Sequence, residues 1–117
     1  MAARYELKKT SDGQYMFNLK APNYETILTS ERYVSRSGAQ QGIEAARKSS
    51  PLDERYDRRV SSSTQHYFVL RAANREIVGT SEMYSSRAAM ETGILACKNY
   101  GPAAVVDDQT QTVAARL

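Results

Sequence analysis

Nucleophilic catalysis needs a base held beside the nucleophile, and this chain offers one histidine, His66, and one cysteine, Cys97. No acid is placed by the sequence to orient His66, whose position in the internal repeat described below is taken by Tyr15; it reads as a strand residue chosen for size and partial burial. Cys97 falls on an apolar helical stripe, where a thiol packs as a small buried side chain. Lys98 follows it directly, but adjacent residues on a helix do not face each other. Carboxylates stand singly apart from Asp53-Glu54 and Asp107-Asp108, a linker and a tail pair that read as solvated charge. A lone cysteine excludes an intramolecular disulfide and a Cys-only metal site, and a lone histidine leaves few ligands for zinc. With no phosphate loop, Gly-x-Gly-x-x-Gly or His-Glu-x-x-His present, no catalytic residue, cofactor or metal is expected.

Two polar sets are better candidates for a surface. The first is Ser30-Glu31, Tyr33 and Ser35-Arg36, which recurs as Ser81-Glu82, Tyr84 and Ser86-Arg87. Glu31, Arg36, Glu82 and Arg87 could make a symmetric site for an anion or a partner, but capping serines, core-edge tyrosines and local ion pairs alone explain such residues and are the favoured reading. The second is basic: Lys8, Lys9, Lys20, Arg55, Arg58, Arg59, Arg71 and Arg75 could share a sheet face with Tyr67, as in open sheets that stack single strands. Sixteen Lys and Arg against thirteen Asp and Glu leave only +3, short of a dedicated nucleic-acid binder. A solvated strand face therefore accounts for that set, with Lys20 and Arg71 kept as candidate binding residues.

These residues are positioned by a duplication. At an offset of 51 residues, 14–51 lie over 65–102 without a gap, with 16 of 38 positions identical. Arg4-Tyr5-Glu6 lies over Arg55-Tyr56-Asp57 at the same offset. In each copy a weakly alternating segment (Tyr5 to Lys9, Tyr56 to Ser61) precedes turn formers, and Phe17, Leu19 and Ala21, or Phe68, Leu70 and Ala72, then mark the core face of a strand. The Lys20 and Arg71 face is the wetter one. Asn23 and Asn74 mark a turn in which asparagine takes the left-handed conformation, followed by strands through Thr26 to Thr29 and Ile77 to Thr80. The period then becomes helical, with Ala39, Ile43 and Ala46 matched by Met90, Ile94 and Cys97. Ser35 or Ser37 can cap the first helix, Ser37 with Gln40 as a capping box, and Ser86 the second.

A 51-residue unit without staples cannot bury a sufficient core, so the copies must share one. The fold class is α+β: tandem β-β-β-α repeats forming one antiparallel sheet with two helices packed on one face, related by a pseudo-twofold axis. Residues 1–108 make a single domain of two repeats, about 4–51 and 55–102. Val105-Val106 can add a brief edge contact, Asp107 to Leu117 is polar and aperiodic, and 109–117 is expected as a disordered tail.

The repeated Thr-Ser-Glu-x-Tyr-x-Ser-Arg string at 29–36 and 80–87, preceded by Phe-x-Leu-x-Ala-x-Asn and followed by Gly-Ile, resembles the YegP-like family. That family consists of small bacterial proteins of one or two such repeats, and the resemblance spans about 5–108. It implies helices exchanged so that each packs over the other repeat's strands, and one-repeat members that dimerise into the same object. It also implies glycine after the turn asparagine, where this chain has Tyr24 and Arg75. The resemblance carries no reaction or ligand.

No run reaches the roughly 18 apolar residues of a membrane span, and the start lacks a secretory segment, so a cytoplasmic protein is expected. The sequence reads as a small non-enzymatic monomer with internal pseudo-twofold symmetry, a structural or partner-binding module for an unknown protein partner and not for a membrane. Weak nucleic-acid binding and a small enzyme with an unfamiliar site are the alternatives. Strand addition becomes physically plausible if a strand beginning at Tyr5 or Tyr56 is left unpaired.

Overall fold

The period-two segments become strands and the helical stripes become helices. The computed structural model describes residues 2–110. Its elements run β1 (Arg4–Lys9), β2 (Tyr15–Lys20), β3 (Thr26–Ser30), α1 (Arg36–Ser49), a 3-10 turn (Asp53–Arg55), β4 (Tyr56–Val60), β5 (His66–Arg71), β6 (Ile77–Thr80), α2 (Arg87–Tyr100) and β7 (Val105–Asp108). Among the described residues all seven strands join one sheet, in the order β4-β5-β6-β3-β2-β1-β7. Each repeat is a three-stranded antiparallel meander, and the two meet where β3 pairs antiparallel with β6, Thr29 opposite Thr80 and Ser30 opposite Gly79. This pairing of equivalent strands carries the pseudo-twofold axis. Symmetry yields there to packing: Leu28 fills the space, and a Cβ on its counterpart Gly79 would lie 2.9 Å from Leu28 Cγ and 2.8 Å from the Thr29 carbonyl oxygen.

The sheet is mixed, not wholly antiparallel, because β7 runs parallel to β1, with Tyr5 opposite Val106 and Leu7 opposite Asp108. The repeat explains why. Residues 105–108 occupy, 51 positions on, the place of 54–57 at the entry to β4, which pairs with β5. The equivalent place for β7, against β2, is already held by β1, so β7 lies one strand further out. Asp107 and Asp108 thus extend the Val105-Val106 contact into a strand. Gln109 continues it by donating its N–H to the Leu7 carbonyl at 2.8 Å. The expected disorder of the tail falls, from residue 111 on, outside the described residues.

The predicted core faces are buried: Phe17, Leu19, Phe68 and Leu70 from the sheet, Ala39, Ile43, Ala46, Met90, Ile94 and Cys97 from the helices. The opposite sheet face is drier than its composition suggests. Asn18 and Val69 are buried there, and Asn18 is held between Thr29 Oγ1, to which it donates, and Lys8 Nζ, from which it accepts. Helix α1 packs on β1 and β2 of its own repeat and also on β5 and β6, while α2 packs on β5 and β3. The exchange implied by the resemblance is therefore a sharing, each helix covering strands of both copies. Hydrogen bonds cross between copies as well: Tyr5 Oη donates to the Gly101 carbonyl at 2.6 Å, and Tyr56 Oη donates to the Ser50 carbonyl at 2.6 Å. Burial pushes both phenols well above their ordinary range.

Local chemistry sets the ends of the elements. Ser35 and Ser86 cap the helices, accepting from the Gly38 and Ala89 N–H groups at 3.0 Å, and Ser37 lies one residue inside the first turn, so no capping box forms there. In the β2–β3 and β5–β6 turns the left-handed residues are Tyr24 (φ 72°) and Arg75 (φ 71°), not the asparagines. Asn23 and Asn74 instead accept from the N–H of Glu25 and Glu76, an Asx turn that holds the following residue left-handed without glycine.

Candidate protein-interaction site

Most of the repeated polar residues are accounted for by the fold. Ser30 and Ser81 accept from the N–H of Phe17 and Phe68 at 2.8 and 2.9 Å, stitching the middle strand of each repeat to the third. Tyr33 and Tyr84 press their hydroxyls against Gly42 and Gly93, where any Cβ would stand 2.3 Å from the phenol oxygen. Burial raises both phenols, with Glu31 and Glu76 adding to Tyr33 and Glu82 to Tyr84. Glu25 and Glu76 carboxylates accept from Asn23 and Asn74.

The predicted binding residues do not converge. Glu31 and Arg71 share a cleft of about 590 Å³ between α1 and the β5–β6 hairpin, whose pseudo-symmetric twin of about 420 Å³ lies between α2 and the β2–β3 hairpin. Lys20 donates to Thr26 Oγ1 on the far sheet face, and Arg71 is taken by Asp57 at 2.6 Å and the Arg75 carbonyl. Arg71 holds the Asp57 carboxyl below its ordinary value. Much of the rest of the basic set is committed too: Lys8 to Asn18 and Glu6, Arg55 to Ser49, Arg58 to Asp53 and Glu91, Arg59 to Asp57. Cys97 is fully buried and its thiol is pushed up to about 11 by that burial. Among the described residues no three His, Cys, Asp or Glu side chains gather into a metal-sized cluster.

Arg36 and Arg87 remain, one at each end of the sheet. Each is the first residue of its helix, where a cation opposes the helix dipole and a carboxylate is welcome. Arg36 is satisfied: it ion-pairs with Asp108 of β7 and donates through Nε to Thr110 Oγ1 at 3.1 Å. Thr110 and Arg36 hold Asp108 down to about 2. Arg47, on the same helix, donates to the Ala104 carbonyl at 2.8 Å as the chain enters β7. Arg87, by contrast, has no hydrogen bond or ion pair among the described residues. It lines a groove of about 260 Å³ with Arg58, Arg59, Val60, His66 and Met90, and no carboxylate is among the lining residues. The groove flanks β4, which has β5 on one side and no strand on the other among the described residues.

The pairing pattern fixes what that edge presents. Phe68 directs its N–H to Ser81 on the β6 side, so its partner Arg58 turns its own N–H and C=O away from β5. The equivalent residue at the closed end is Leu7, whose carbonyl accepts from Gln109. Sequence reasoning counted Arg58 only as part of a basic face and read His66 as structural. The signal for this groove lay in the differences between the copies, Arg58 for Leu7 and His66 for Tyr15, not in their likeness.

A sheet shared by two fused repeats, extended past β1 by the chain's own β7 and ending at β4 on the other side among the described residues, defines a tandem-repeat α+β protein. The family described as "Domain of unknown function (DUF1508)" matches twice, at residues 10–57 and 61–108. The chain belongs to this family. It is 47% identical over 110 residues to the UPF0339 protein YegP of Escherichia coli K12, covering 94% of this chain and all of that one. It is 46% identical over the same length to the UPF0339 protein of Shewanella oneidensis. The solution NMR structure of E. coli YegP superposes with a TM-score of 0.90 at 46% identity, over 96% of this chain and 97% of that one. The S. oneidensis structure gives 0.88, over 94% and 93%. Among the described residues no helix is long and apolar enough to cross a membrane.

Proposed function

We propose that this protein is a non-enzymatic binding module that acts as a cytoplasmic monomer and captures an extended segment of a partner protein by strand addition to the outer edge of β4. The observation that carries this reading is the inequality of the two ends: β1 has a seventh strand beside it, and β4, its equivalent in the second repeat, has none among the described residues. Unpaired edge groups are ready templates for another strand. The ion pairs that engage much of the basic face weigh against phosphate binding, and the burial of Cys97 weighs against nucleophilic chemistry.

Arg58 provides the test, because its N–H points outward. Arg58→Pro removes that donor, whereas Arg58→Ala removes the same side-chain bonds and keeps it. Partner retained from a host lysate by wild type and Arg58→Ala, and lost by Arg58→Pro with its fold intact by NMR, is the expected result. Equal retention by both variants refutes strand addition at β4.

A further inference from the structure

We infer that the strand added to β4 runs parallel to it and carries a carboxylate that pairs with Arg87, in an apolar-apolar-acid-acid pattern like that of β7. This rests on the reading of β4 as the capturing edge and adds to it a direction and a chemistry.

The molecule contains its own template for this complex. At the closed end β7 supplies Val105, Val106, Asp107 and Asp108 in parallel register with Arg4 to Leu7. Its last carboxylate reaches the first residue of α1, Arg36, and the next N–H bonds the carbonyl of Leu7. Carrying that arrangement across the 51-residue repeat puts the recipient strand on β4, the backbone acceptor on Arg58 and the carboxylate on Arg87. Each of these groups is present and unoccupied by strand or acid among the described residues.

Charge argues the same way. The groove is lined by Arg58, Arg59, His66 and Arg87 with no acid, and the carboxylates nearby are spoken for: Glu91 and Asp53 by Arg58, Asp57 by Arg71 and Arg59. Arg58 and Asp53 are joined further by Lys98, which donates to Asp53 at 2.7 Å where its counterpart Arg47 holds the Ala104 carbonyl. An incoming acid therefore meets a guanidinium, Arg87, that has no hydrogen bond or ion pair among the described residues and feels only the Glu91 carboxylate that Arg58 already holds. One departure from symmetry shortens the site. Asp53–Arg55 forms a 3-10 turn, so pairing begins at Tyr56 and covers one residue fewer than β7 does.

The probe is the peptide acetyl-Ala-Val-Val-Asp-Asp-Gln-Thr-amide, titrated into the isotopically labelled full chain and followed by NMR. The expected result is a set of shifts centred on the outward amides of Arg58 and Val60, the Tyr56 N–H being already donated to the Asp53 carbonyl. Affinity should fall about tenfold for Arg87→Ala, and for the peptide with asparagine at its second acid, while Arg36→Ala leaves it unchanged. A spin label at the peptide's N-terminus should broaden signals near Tyr56 for a parallel strand. Broadening near Val60 instead, or equal binding by the asparagine peptide, overturns the inference yet leaves strand capture standing. Shifts confined to β1, showing exchange with β7, or concentration-dependent self-association through β4 with no peptide effect, overturn it as well. Absence of any β4 shift together with partner retention by Arg58→Pro removes both readings.

Discussion

The two ends of the sheet began as copies and still share the Arg-Tyr-acid triplet and the helix-leading arginine, but they differ where the incoming strand's last backbone bond falls, Leu7 at one end and Arg58 at the other. At the end bearing β1, Leu7 is fully buried and β7 lies alongside. At the end bearing β4, the equivalent residue is Arg58, which bridges Glu91 and Asp53, and the groove beyond it is open. The core-facing residues of the same strands, Tyr5 and Tyr56, remain identical, and each phenol still bonds the carbonyl at the far helix end. The exposed outer side of β4 has changed character, while the tyrosines that tie the copies together have not. A duplicated fold can thus specialise at its rim without losing the interior that makes it one domain.

Exchanging residues between the copies tests that contrast most severely at Leu7. Leu7→Arg places a cation in a fully buried site with no matching acid, and should cost more than about 3 kcal/mol and release β7. The reciprocal Arg58→Leu forfeits only partly exposed ion pairs and should change stability by less than about 1 kcal/mol. Urea denaturation of the pair measures both, and comparable losses would mean the two ends are not distinct. A smaller effect is expected at the first turn of each repeat, where Gly13 (φ 84°) is matched by Thr64 (φ 64°). Thr64→Gly should stabilise by about 1 kcal/mol, and Gly13→Thr should destabilise by a similar amount, since a β-branched residue is strained in that conformation. Melting temperatures moving in the same direction for both would contradict this.

The helix-leading arginines give smaller differences still. Arg36→Ala should lower stability by about 0.5–1 kcal/mol and speed amide exchange at Gln109, whereas Arg87→Ala, which loses no hydrogen bond or ion pair among the described residues, should stay within about 0.5 kcal/mol of wild type. Acid provides the finest probe. Asp108 is held down to about 2 by Thr110 and Arg36, below its ordinary 3.8, so its contribution is complete above about pH 4 and is lost as pH falls toward 2. Amide exchange at Gln109 should rise across that window; at β4 the Asp53 carboxyl, held down to about 2 by Lys98 and Arg58, is protonated in the same range, but no outer strand lies there to be released among the described residues.

How much of this was legible beforehand follows from which forces write themselves into sequence. The alternation of Phe17 and Leu19 and the stripe of Ala39, Ile43 and Ala46 announce their elements because burial demands a periodic pattern. Tyr24 and Arg75 hide their left-handed backbone because the Asx turn beside them, not glycine, supplies it. Asp107 and Asp108 look like tail because they are polar, and they become strand through a partner, Arg36, that lies 72 residues from Asp108. The groove at β4 was hidden for a related reason. It is a place where one copy has something the other lacks, and similarity between copies points away from it.

The bond from Tyr5 to Gly101 spans 96 residues and so has a history in time as well as a length. At synthesis rates of about 5–20 residues per second, roughly 5–20 s separate the appearance of the phenol from that of the carbonyl it needs. During that interval Tyr5 has no second-helix terminus to close against. The shared interior is finished only when the second copy has been made, and the first must stay soluble and uncommitted until then.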